Sequence, residues 1–170
     1  MSKKEYITFI ERFFGNDQRR INHSLKVLNY AMHIMDKENI RNESTRKVVI
    51  ISAILHDVGI KIAEEKYNSS EGKYQEIEGP IIARAIMEEN KEDPSIIDRV
   101  CYIVGHHHTM EAINGIDFQI IWEADFISNL EEGNITFKSK KDLEEAINKN
   151  LKTETSKKIV LEISSSLQKS

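Results

Sequence analysis

A chain of 170 residues is long enough for one domain of ordinary size with a core of its own. With 31% charged and 39% apolar residues and a formal net charge of -4, it reads as a soluble globular chain, and its charge balance excludes a nucleic-acid polymer or a membrane as the main partner. The single cysteine, Cys101, excludes an intrachain disulfide and points to a reducing, cytoplasmic setting, which the N-terminal segment, lacking the apolar stretch of a signal peptide, also suits.

In chain order, a first helix is expected from Lys3 to Phe14, stopped by Gly15. Asp17 then reads as the N-cap of a long helix reaching about Glu38. On that helix Ile21, Leu25, Leu28, Met32 and Met35 form one apolar stripe. Val27, Tyr30 and Ile34 form a second, nearly opposite, and His23 begins it. A helix apolar on both sides is packed on both sides, so His23 points inward. A third helix is expected from about Ser44 through the apolar run Val48–Leu55, far shorter than the ~20 residues of a membrane span. Gly59 is its expected stop, which puts His56 and Asp57 in the last turn of a buried helix. After a loop over Asn68–Lys73, a helix should cover about Gln75 to Glu89. Asp93-Pro94 supplies a cap and an N1 proline for the next, which is expected to run into His106, His107 and His108. Asp117 is the expected cap of a helix carrying Trp122 and Asp125 to about Glu131. The segment from about 140 to 168 shows weaker helical patterns and no recognisable chemistry. The whole, 1–170, is expected to be a single all-α domain of five or more helices.

Eight residues of an apolar run lead straight into His56-Asp57, drawing a carboxylate towards a dry interior. A buried unpaired charge costs several kcal/mol, and a metal ion is one of the few adequate partners; the bland alternative is a partly solvated helix cap. His23 on its inward stripe could be a hydrogen-bonded core histidine or a ligand. At least one member of the His106–His108 run must share the face of Ile96, Val100 and Ile103. Asp125, among Trp122, Ala124, Phe126 and Ile127, needs a partner, either a metal or an arginine. Imidazoles and carboxylates converging from separate helices suit a divalent ion (Mn, Fe, Co, Ni, Zn or Mg) rather than a thiolate site.

The order His23, His56-Asp57, Asp125, in the strings INHSLKVLNYA, AILHDVG and EADFISNL, resembles the H…HD…D signature of the HD-domain metal-dependent phosphohydrolases, over roughly residues 18–131. The resemblance implies a helical fold around a metal held by His23, His56, Asp57 and Asp125. It also implies cleavage of a small phosphorylated substrate, an ester or anhydride with nucleotides as the favoured class, by metal-activated water. Where two-metal relatives carry a further histidine, QEIEGP places Gln75. IVGHH matches another such position and ranks His106 ahead of His107, although helical periodicity favours His107. Gln75 in that place implies a second metal site that is weak or absent, unless Glu76 or Glu78 stands in. Asp57 and Lys61 are the expected catalytic residues, and Arg20, with Arg19 beside it, the expected phosphate contact. Two other readings are a non-catalytic regulatory module that binds metal or nucleotide, and an HD-type di-iron oxygenase. Substrate identity and oligomeric state stay open.

Overall fold

The computed structural model describes residues 2–167, and among them it contains nine α-helices and no strand, the all-α architecture expected. The helices are α1 (Lys3–Phe14), α2 (Gln18–Lys37), α3 (Glu43–Leu55), α4 (Gly59–Tyr67), α5 (Gly72–Glu89), α6 (Pro94–Val104), α7 (Ile116–Glu131), α8 (Lys140–Asn150) and α9 (Glu154–Leu167). A single 3-10 turn spans Met110–Ala112. No helix among the described residues is long and apolar enough to cross a membrane.

Side-chain caps set several of the helix starts. Ser2 and Glu5 form a reciprocal capping box at α1, and Gly15 ends that helix at a φ of 58°. The Asp17 carboxylate accepts from the Arg20 amide at 3.2 Å to open α2. Asn42 caps α3, so that helix begins at Glu43 rather than near Ser44. Asp93 and Pro94 open α6 as expected.

At the centre lies α3, packed against α1, α2, α6 and α7. Val49, Ile51, Ala53, Ile54 and Leu55 on it are all but inaccessible to solvent. Each of the larger ones contributes about 1.5–3 kcal/mol of burial. The two expected stripes of α2 also go inward: Ile21, Val27, Leu28, Ile34 and Met35 are buried, together with His23.

Several boundaries differ from expectation. Gly59 does not stop α3. The helix ends at Leu55, a tight turn follows, and Gly59 begins α4, a helix the periodicity did not announce. The reason is contact: a Cβ on Gly59 would land on the Gln75 carbonyl oxygen and 2.7 Å from the Gly79 amide of α5. Glycine lets the two backbones touch. Helix α6 stops at Val104, short of the histidine run, and Asp117 lies inside α7, whose cap is Gly115. Asp117 instead forms a two-point ion pair with Arg99, at 2.6 and 2.7 Å. The C-terminal segment is two full helices, docked through Glu123 of α7. That carboxylate is fully buried and accepts from the Lys152 amide (2.5 Å), the Thr153 amide (3.1 Å), the Thr153 hydroxyl (2.5 Å) and the Gln119 amide group (2.7 Å).

Gly59→Ala is expected to destabilise the protein by about 1–3 kcal/mol, because the three atoms its methyl would meet are all backbone and cannot swing aside. Urea unfolding checks this, and an unchanged midpoint would mean α4 and α5 separate without cost.

Candidate metal centre

Three parts of the fold deliver the central side chains. α2 supplies His23, the turn between α3 and α4 supplies His56 and Asp57, and α7 supplies Asp125. His23 Nε2 lies 3.0 Å from Asp125 Oδ1, 3.3 Å from His56 Nε2 and 3.7 Å from Asp57 Oδ2. His56 Nε2 is 3.4 Å from Asp57 Oδ2 and 3.8 Å from Asp125 Oδ1. The His56 Nδ1 faces the Ala53 carbonyl at 2.9 Å. A carbonyl only accepts, so Nδ1 carries the proton and Nε2 presents its lone pair to the cluster.

The turn after α6 adds a second group. His107 Nδ1 donates to the Val104 carbonyl at 2.8 Å, leaving Nε2 aimed at Asp57 Oδ1, 3.4 Å away. This Nε2 is buried and has no hydrogen-bond partner among the described residues. His108 lies against His107, ring centroids 4.0 Å apart. His23, His56 and Asp57 present donor atoms within 4.8 Å of one another, as do Asp57, His107 and His108; Asp57 belongs to both groups.

Electrostatics keep the two carboxylates ionised and His56 neutral, while His23 carries a proton. Burial raises the Asp57 carboxyl, but His56, His107 and His23 outweigh it and leave it well below the usual carboxylate range. Burial likewise raises Asp125, and the hydrogen bond from His23 reverses the shift. His56 is pushed down by its complete burial, so its imidazole is neutral at pH 7. Burial would lower His23 as well, yet its bond to Asp125 and the charges of Asp57, Asp125 and Glu132 hold it up at about 9. Without a cation, a proton on His23 balances the carboxylates. Desolvation against its neighbours and the charge of His107 push His108, exposed at the cavity, down to about 4, which leaves it neutral. Two carboxylates, neutral imidazoles and an orphaned buried nitrogen are what a divalent cation fits.

Other expected residues fall differently. His106 is not the inward histidine: its Nδ1 donates to the Tyr102 carbonyl at 2.7 Å and its ring stacks on Tyr102, because the turn begins one residue after α6 ends. His107 takes that place, and His108 was missed; the histidine run was its only signal. Lys61 faces away from the cluster. Its ammonium donates to the Phe13 carbonyl at 3.0 Å and sits over the Phe13 ring, tying α4 to α1. Gln75 is buried at the cavity wall, its Nε2 donating to the Ser70 carbonyl at 2.6 Å. Glu76 accepts from the His108 amide (3.0 Å) and the Thr109 hydroxyl (2.9 Å), so it steadies the histidine turn. Glu78 is bound to Lys66 and Tyr67. Arg20 does reach the site. It lines, with Arg19, His23, Asp57, His108 and Asp125, a polar cavity of about 320 Å³, and there it pairs with Glu64 at 2.6 Å and Asp17 at 3.2 Å.

A family model described as "HD domain" matches residues 20–160. Among solved structures, the chain is similar to a "predicted HD superfamily hydrolase" from an uncultured Thermotogales bacterium, a 1.45 Å crystal structure. The TM-score is 0.71 over 98% of this chain and 87% of that one. Sequence identity is 19%, so this likeness is one of fold. No curated protein matches the chain in sequence.

The group containing His23, His56, Asp57 and Asp125 carries two carboxylates, whereas the other shares Asp57 and adds only imidazoles. One divalent ion is therefore expected to bind tightly and a second only at higher concentration. His108→Ala should remove the second and spare the first. Titration of the metal-stripped protein with Mn²⁺ checks this, and two equal sites would contradict it.

Proposed function

The chain belongs to the HD-domain family, and from that premise we propose that it is a metal-dependent phosphohydrolase acting on a small phosphate ester or anhydride, a nucleotide being the class the family likeness favours. One observation carries this reading. His23, His56, Asp57 and Asp125 turn nitrogen and oxygen donors on one another at a polar cavity whose rim brings in Arg19 and Arg20.

A divalent cation held by these donors supplies Lewis acidity, lowering the pKa of water towards ~7 and polarising a phosphoryl oxygen. The protein's own part is positional. Asp57, shared by the two donor groups through its two oxygens, would hold the cation and lines the cavity, where its carboxylate could accept a hydrogen bond from an incoming water. Arg20 presents a planar guanidinium that matches two phosphate oxygens, and an incoming phosphate competes with Glu64 for it. Arg19 adds a second positive charge at the same rim. Apart from Ile60, the residues along the lining carry polar groups, so charged substrate oxygens find hydrogen-bonding partners there.

The deciding experiment reloads metal-stripped protein with Mn²⁺, Co²⁺, Ni²⁺ or Mg²⁺ and screens nucleotides and a generic phosphate ester. Asp57→Asn and Asp125→Asn are each expected to lower kcat at least about 100-fold and to reduce bound metal, since the Lewis-acid contribution is worth several kcal/mol. Full activity and metal content in both variants would end this reading. Metal and nucleotide binding without turnover would make the protein a regulatory module instead. Arg20→Ala is expected to raise KM more than it lowers kcat, and an unchanged KM would remove Arg20 from the substrate site.

A further inference from the structure

Each imidazole that faces the donor cluster needs a partner for its far nitrogen. His56 and His107 find theirs close by, in the carbonyls of Ala53 and Val104 three residues back. His23 sits in the middle of α2, where backbone carbonyls are already spent on the helix itself. Its Nδ1 instead meets the Glu132 carboxylate, Oε2 at 3.0 Å, on the residue that closes the C-terminus of α7. The two ring nitrogens point to different sides. Glu132 therefore stands behind the imidazole, while Asp125 Oδ1 stands in front, 3.0 Å from Nε2. Glu132 is itself held in place, with Lys26 Nζ 3.4 Å from Oε1 and the Asn134 side-chain amide donating to Oε2 at 3.4 Å.

A carboxylate differs from a carbonyl in this role. Its charge fixes the Nδ1–H tautomer more firmly, keeps the Nε2 lone pair forward and makes the imidazole a stronger donor. Resting on the metal-dependent reading above, we propose that Glu132 is a positioning residue that orients and strengthens His23 as a ligand for the first divalent ion. It lies outside the H…HD…D signature, seven residues beyond Asp125. A plain structural tie between α2 and α7 is the competing account, although those helices already pack along each other.

Glu132→Gln keeps the shape and an accepting oxygen but removes the charge, and Glu132→Ala removes both. The test titrates Mn²⁺ into the metal-stripped full-length variants, records the visible spectrum of their Co²⁺ forms, and follows the melting of the metal-free proteins. Affinity for the first ion is expected to fall about 10-fold in Glu132→Gln and up to about 100-fold in Glu132→Ala, with an altered Co²⁺ spectrum. If the alanine variant does not fold, the isosteric glutamine variant carries the test. Unchanged affinity and spectrum, with only the melting temperature moved, would reduce Glu132 to a structural tie and overturn the proposal. A wild-type protein that takes up neither Mn²⁺ nor Co²⁺ would overturn the metal reading itself, and this role with it.

Discussion

The balance of charge around Asp57 is the constraint on which the rest of the structure depends. α3 is apolar enough to occupy the centre of the bundle, and it releases the chain into a tight turn that leaves this carboxylate among His56, His107 and His23. A negative charge so placed is tolerable only if polar or cationic partners reach it from several directions. α2 and the turn after α6 approach that point with His23 and His107, and α7 brings a second carboxylate, Asp125, that His23 offsets in turn. The arrangement of helices is thus a packing solution and an electrostatic one together.

The supporting contacts divide the labour by position. Where an imidazole follows the end of a helix, as at His56 and His107, carbonyls of the preceding turn hold it. Where it lies mid-helix, as at His23, another helix must reach across. Glu76 steadies the histidine turn from α5, and the close approach of Gly59 to α5 brings Gln75 to the cavity wall. These residues are ordinary in isolation, and their effect comes from which backbone they fix.

Much of this was legible in the sequence because it follows from period and caps. The two stripes of α2, the all-apolar α3 and the caps at Asp17 and Asp93 need only local rules, and they place His23, His56 and Asp57 inward. The failures are tertiary. Gly59 was read as a stop because a glycine that ends a helix and one that lets two helices touch are identical in sequence. Lys61 lies close to Asp57 along the chain, yet its ammonium finds the Phe13 carbonyl instead. The choice between His106 and His107 turned on whether α6 ended before the run. Helical phase favoured His107, and the alignment of motifs favoured His106. Glu132 gave no local signal at all, since its partner is 109 positions away.

The clasp at Glu123 bears on how much chain makes up the folding unit. A fragment cut after Glu131 would retain His23, His56, Asp57 and Asp125, yet it would strip three of the four donors from the Glu123 carboxylate and leave it to water. A hydrogen bond to a charged group is worth about 1.5–3 kcal/mol, so the loss of these is a large share of the roughly 5–15 kcal/mol that keeps a domain folded. The last two helices are therefore a counterweight that α7 cannot shed, and insertions or fusions in this protein are better tolerated at its outer turns than in the short link between α8 and α9.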